Sequence, residues 1–231
     1  MNKPFVVFIQ ARMSSSRFPG KMLKVIRGRK VLELVIQQFM AAGLDKADIV
    51  LLTSVEKSDD ALSDWAKENG LGVFRGDLGD VLGRFAAASE QWPGDWVIRV
   101  TGDSPFCPSY LISTVLSLIQ DTCADIVTST YRRTFPVGAN LEALRSALLQ
   151  DRVINSEIIS GADREDVTSY WHRNIPPNGL LSIELAEGNF SDLSVAIDVE
   201  DDLHRAESGD SQKIVDSIPW TQLTTRLIAP E

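Results

Sequence analysis

Over its first 130 residues the chain alternates short apolar runs with stretches of helical periodicity. The runs fall at 5–9 (FVVFI), 48–54 (DIVLLTS), 72–75, 96–100 (WVIRV) and 125–130 (DIVTST). Helical patterns lie between them, at 31–42, 58–69, 80–91 and 108–120. In the first, Leu32, Val35, Ile36, Phe39 and Met40 recur at helical spacing. A helix between each pair of buried-looking strands predicts an α/β fold, with a mostly parallel sheet covered on both faces. Such sheets hold ligands at the carboxyl ends of their strands.

After residue 130 the rhythm changes. An irregular segment at 132–139 precedes an expected helix at 141–150 and another at 163–173, with Asp163 at its N-cap. Strands are expected at 180–186 and 193–199, close enough to pair antiparallel, and a helix from 201. No repeat or linker divides the chain, so residues 1–231 are read as one domain, and a 44% hydrophobic content is enough for its core. The N-terminal apolar run is too short for a leader or a membrane span. Cys107 and Cys123 have no metal-ligand spacing and fit a reducing, cytoplasmic setting. With only His172 and His204, a histidine-rich metal site is excluded.

The first strand ends in a cationic loop. Residues 1–32 hold eight Lys or Arg and no acid, in a chain of net charge −9, so the rest carries −17. Arg12, Ser14, Ser15, Ser16, Arg17 and Lys21 crowd with Pro19 and Gly20 just past the strand. Hydroxyls, backbone N–H groups and cations there suit an anion such as phosphate. The acidic remainder argues against nucleic acid. The loop is not a P-loop, because Ser15 stands where that motif needs glycine and Met22 follows the lysine. No dinucleotide glycine fingerprint follows the strand either. Two acids sit at later strand ends. Asp103, in TGDSP, suits Mg²⁺ or closes an Asx-turn. Asp198, in VAID, precedes Glu200, Asp201 and Asp202 and reads by itself as a helix cap.

The segment IQARMSSSRFPGK (9–21) closely resembles the signature of cytidylyltransferases that make CMP-sugars, such as the CMP-Kdo and CMP-acylneuraminate synthetases. A longer resemblance is to the spore coat polysaccharide biosynthesis protein F group. It runs through FRGDLGDVLGRF (74–85), RVTGDSPF (99–106), FPVGANLEAL (135–144), DREDVTSYWHRN (163–174) and AIDVEDDL (196–203). The resemblance implies a three-layer α/β/α sandwich of the nucleotide-diphospho-sugar transferase type. It implies CMP transfer from CTP to a sugar or sugar-acid acceptor, with Mg²⁺ as cofactor, pyrophosphate as product and surface polysaccharide as the destination. Arg12, Ser16, Arg17 and Lys21 would hold the triphosphate, with Gln10, Ala11 and Arg75 also on the nucleotide. Asp103 and Asp198 would hold the metal, which lifts Asp198 from cap to ligand. Arg17, Lys21 and Asp103 would carry catalysis. Asn140 and Glu142 fall where acceptor contacts are expected, although Glu142 alone reads equally as a solvated helix residue. Relatives that pair imply a homodimer, with no membrane and no nucleic acid as partners. The alternatives are a glycosyltransferase using a nucleotide-sugar donor, for which TGDSP supplies one Asp where two are needed, and a cytidylyltransferase acting on a phosphonate.

Overall fold

The computed structural model describes residues 3–155 and 158–230. In chain order its elements are β1 (Lys3–Gln10), β2 (Val25–Ile26), β3 (Arg29–Lys30), α1 (Val31–Ala41), β4 (Ile49–Ser54), α2 (Asp60–Glu68), β5 (Gly72–Gly76), α3 (Val81–Gln91), β6 (Gly94–Thr101) and α4 (Ser109–Asp121). There follow β7 (Ile126–Thr128), β8 (Glu142–Arg145), α5 (Ser146–Leu149), α6 (Gly161–Asp166), α7 (Ser169–Arg173), β9 (Leu180–Leu185), α8 (Glu200–Ser208), α9 (Asp210–Asp216) and β10 (Leu223–Ile228). Eight strands form one sheet in the order β10-β9-β7-β8-β6-β1-β4-β5.

The fold class follows the expectation. β6, β1, β4 and β5 run parallel, each joined by a helix. Alternate residues of each strand feed opposite faces. Val7, Ile9, Ile49, Leu51, Ile98 and Val100 join α1, α2 and α4 in one core. Val6, Phe8, Val50, Leu52 and Val97 join α3, α5 and α7 in the other, with Ile159 and Val167 on either side of α6. Phe8 meets Phe85 edge to face at 5.7 Å. Each such fully buried side chain contributes about 1.5–3 kcal/mol relative to exposure.

The second half departs from the expectation in three places. Residues 142–145 form strand β8, not the start of a helix, and lie antiparallel between β6 and β7. LEAL has helical propensity, but two strands with unmet backbone groups on either side override it. The helix expected at 163–173 is two helices, broken at Val167, whose φ is +65°. Ser160 is the N-cap, and Asp163 is the return partner of its capping box. Residues 193–199 form no strand. Ser194 makes one bridge to Val137, and β9 pairs with β10 from the C-terminal tail instead. Pro136 lacks an N–H and Gly138 turns the chain at φ +90°, so the ladder stops at one rung.

Candidate active site

The carboxyl ends of β1, β4, β5 and β6 meet on one rim. The 11–21 loop leaves β1 there and folds back on itself. Ala11 N–H donates to Leu52 O at 3.1 Å, and Gly20 N–H donates to Met13 O at 2.9 Å. Gly20 takes φ +75°, a conformation glycine adopts without penalty. Beneath the loop lies Asp59, which is fully buried. Its carboxylate accepts from Met13 N–H at 2.7 Å, Thr53 Oγ1 at 2.9 Å, Ser54 N–H at 3.0 Å and Ser54 Oγ. Burial alone would raise its pKa, but these donors hold it below the usual value. Asp59 therefore ties the loop to the end of β4.

The loop roofs a cavity of about 250 Å³. Gln10, Ala11, Arg12, Ser16, Arg17, Lys21, Asp103 and Asp198 all line it. The ammonium of Lys21 is buried and sits between two carboxylates, 2.8 Å from Asp103 Oδ2 and 2.9 Å from Asp198 Oδ1. Arg17 Nη2 reaches Asp198 Oδ1 at 3.0 Å. Two backbone contacts build this cluster. Gly102 N–H donates to Gln10 O at 2.9 Å, which locks the TGDSP turn to β1. A Cβ on Gly102 would lie 2.8 Å from Ala11 Cβ and 2.9 Å from Met22 Sδ, so only glycine permits the approach. Ile197 N–H donates to Asp103 O at 2.9 Å and brings Asp198 across. Asp198 is not the helix cap. Asp202 takes that part, accepting from the N–H groups of Asp198 at 2.8 Å and Val199 at 2.9 Å.

The acid pair fits a small divalent cation. Lys21 holds a positive charge between the carboxylates, and Mg²⁺ takes one or two carboxylates with phosphate and water for the rest. No group of three or more His, Cys, Asp or Glu with metal geometry exists among the described residues. The two acids thus need oxygens from a substrate to complete a metal shell.

A second cavity, of about 240 Å³, adjoins the first and shares Thr101 with it. Asn140 and Glu142 line it. Glu142 is a buried strand residue, not a solvated helical one. Its Oε1 accepts from Thr130 Oγ1 at 2.8 Å and Thr128 Oγ1 at 2.9 Å, with His172 Nε2 3.2 Å away. Its Oε2 accepts from Thr168 Oγ1 at 2.9 Å and from Arg99 Nη1. Burial would push its pKa up, but the His172, Arg99 and Thr130 contacts hold it well below the carboxylate range. Glu142 stays ionised and has no lone pair to spare. Asn140 Oδ1 is the opposite case, buried with no donor among the described residues.

Arg75 lies away from both cavities. Its guanidinium donates to Ser54 O at 2.8 Å, Glu56 O at 2.9 Å and Asp60 Oδ1 at 2.7 Å, which secures the turn after β4. Sequence reasoning left Arg84 unassigned and did not single out Asp59 or Arg99. Arg84 lines the first cavity, and burial draws its pKa down from the ordinary value. Arg99 stands between the cavities, donating to Gln10 Oε1 at 2.9 Å on one side and to Glu142 on the other. A lone arginine inside the apolar run WVIRV is the one signal that could have flagged it.

Residues 6–161 match the family profile described as Cytidylyltransferase. Spore coat polysaccharide biosynthesis protein SpsF of Bacillus subtilis is 32% identical over 171 residues, covering 73% of this chain and 69% of that protein. A cytidylyltransferase structure from Leptospira borgpetersenii superposes with a TM-score of 0.81 at 26% identity, covering 91% of this chain and 88% of that one. CMP:2-keto-3-deoxy-manno-octonic acid synthetase complexed with CTP shares the fold, with a TM-score of 0.63 at 17% identity over 91% of this chain and all of that one.

Proposed function

Because this chain belongs to the cytidylyltransferase family, we propose that it transfers CMP from CTP to a sugar or sugar-acid hydroxyl and releases pyrophosphate. The observation that carries this reading is the placement of Asp103 and Asp198 with Lys21 and Arg17 in the first cavity, beside the second. CTP fills the first cavity, and the acceptor enters the second. The acceptor oxygen attacks the α-phosphorus in line, the bond to pyrophosphate breaks, and the hydroxyl proton passes to water. Lys21 and Arg17 turn from the carboxylates to the phosphates and neutralise the leaving charge. The 14–16 serines and the loop N–H groups orient the triphosphate. Asp103 and Asp198 would hold Mg²⁺, which supplies charge neutralisation and phosphate orientation when bound. Glu142 is not the base that accepts the hydroxyl proton, because its oxygens are fully engaged. Asn140, which lines the second cavity, would contact the acceptor. Likeness to SpsF supports a role in surface polysaccharide synthesis, in the cytoplasm where CTP is made.

The test is pyrophosphate release with CTP, UTP or ATP against a panel of sugars, sugar acids and phosphonates. CTP with a sugar or sugar acid is expected to turn over. Asp103→Asn and Lys21→Ala should each lower that turnover by about 10²–10³-fold, the scale of one lost charge-stabilising group. Full turnover by both variants would sink the reading.

A further inference from the structure

Transfer to a hydroxyl needs a group that takes its proton. Among the described residues, two carboxylates line the second cavity, those of Glu142 and Asp166. Glu142 has both oxygens engaged. Asp166 is the open one. Its carboxylate has a single partner among the described residues, Arg99 Nη2, at 3.5 Å from Oδ1, and its side chain is 63% exposed. Oδ2 keeps its lone pairs for an incoming donor. His172 also lines the cavity, but its Nε2 is turned to Glu142, 3.2 Å away, and its ring stands edge-on to Tyr131.

The chain sets Asp166 where the two cavities meet. Glu165 lines the first cavity and Asp166 the second, so the end of α6 straddles the boundary between them. Arg99 spans the same boundary from the sheet. Its Nε meets Gln10 of the first cavity, and its Nη1 and Nη2 meet Glu142 and Asp166 of the second. A nucleotide in one cavity and an acceptor in the other bring their reacting atoms together here.

The helix ends at this point in a costly way. Val167 takes φ +65° and ψ −56°, and Thr168 N–H donates to Asp166 O at 2.7 Å. That is a γ-turn of the strained kind, at a β-branched residue that disfavours positive φ. Val167 is fully buried in the core beneath, which holds the turn. The turn sends Thr168 inward to Glu142 Oε2 at 2.9 Å and leaves the Asp166 carboxylate at the mouth. Strain that packing sustains gathers at sites of function. Here it separates a wall residue from an open acid two positions away.

We propose that Asp166 is the general base of the transfer. Its Oδ2 takes the proton of the acceptor hydroxyl, and the electron pair of that oxygen forms the bond to the α-phosphorus. The bond from the α-phosphorus to the pyrophosphate oxygen breaks, and pyrophosphate leaves with its electron pair. Asp166 then hands the proton to water. The proposal rests on the CMP-transfer reading above.

Pyrophosphate release tests this, with CTP and the sugar or sugar acid of the panel that turns over fastest, alongside calorimetric binding of CTP. Asp166→Asn keeps the shape and loses the basicity. It should lower kcat by about 10²–10⁴-fold, with acceptor KM and CTP affinity within about threefold of native. Asp166→Ala should fall as far, and added sodium formate, a free carboxylate small enough for the space left, should restore at least about tenfold of its kcat. Both variants should melt with the native chain, because the acid is exposed and weakly paired. An Asp166→Asn kcat within about threefold of native overturns the proposal. A raised acceptor KM at native kcat overturns it in favour of an anchoring role. A kcat loss in Asp166→Ala that formate leaves untouched overturns it in favour of a structural one. In all three cases the CMP-transfer reading stands. A native chain that releases no pyrophosphate with any acceptor overturns that reading and the proposal with it.

Discussion

The two cavities bury charge in opposite ways. In the first, the Arg84 Nε and Nη1 have no acceptor among the described residues. In the second, Glu142 has every lone pair engaged by Arg99, Thr128, Thr130 and Thr168, with His172 alongside. A buried group left open lowers stability and waits for a ligand. A buried group fully met is scaffolding that fixes the walls around it. Sequence identity alone treats both as charged residues near a site. The local accounting of donors and acceptors is what separates a recognising residue from a positioning one.

The largest effect expected is from emptying the scaffold. Glu142→Ala leaves Arg99 buried without its carboxylate and should lower unfolding free energy by about 3–5 kcal/mol in urea denaturation. Replacing the pair together, Arg99→Met with Glu142→Leu, should recover much of that loss. A double variant no better than the single would mean that the surrounding threonines, not the ion pair, hold the wall. The same carboxylate gives a pH signature. Its folded pKa lies below the ordinary value, so its stabilisation is complete above about pH 4.3, the unfolded value, and fades as pH falls from there. Urea midpoints from pH 7 to 3 should drop more steeply for the native chain than for Glu142→Gln.

A smaller effect is expected at Asp59, the saturated carboxylate under the first cavity. Asn offers one acceptor oxygen where four donors converge, so Asp59→Asn should cost about 1–3 kcal/mol. It should also free the loop it anchors. Tryptic cleavage after Arg12 or Arg17 should speed up relative to global unfolding. Unchanged cleavage would show that the Gly20 N–H bond to Met13 O holds the loop alone.

The contrast between the cavities also explains what was legible in the sequence. Three of the first cavity's cations, Arg12, Arg17 and Lys21, lie within ten residues of one another at the end of an apolar run, so local pattern exposed them. Asp103 stood out as an acid at a strand end, whereas Asp198 reads locally as a helix cap and became a ligand only through the resemblance, because the pattern could not say that Asp202 would do the capping. The parallel half of the sheet was legible because its helices and strands carry distinct periods. The resemblance named Asn140 and Glu142 as acceptor contacts, but local pattern did not show the second cavity they line, because it depends on β8 reversing direction and LEAL reads as helix. Once β8 runs antiparallel, Glu142 falls opposite Arg99 in register. No local spacing encodes that pairing. Arg84 was hidden for a different reason: its meaning lies in the partners it lacks.

The smallest effect sharpens the comparison at the edge of the first cavity. Arg75 and Arg84 belong to one segment, and the resemblance gave Arg75 alone a place on the nucleotide. Arg75 is met by two backbone carbonyls and Asp60, and the ion pair is half exposed. Such a pair is worth about 0–1 kcal/mol. Arg75→Ala should therefore shift the melting point only slightly and leave CTP affinity within about twofold. Arg84→Met, which removes a buried guanidinium with no acceptor among the described residues, should spare stability as well. If instead Arg75→Ala weakens CTP binding tenfold, Arg75 leaves its carbonyls to reach the ligand. Donor satisfaction in the unliganded fold would then be a poor guide to recognition in this cavity.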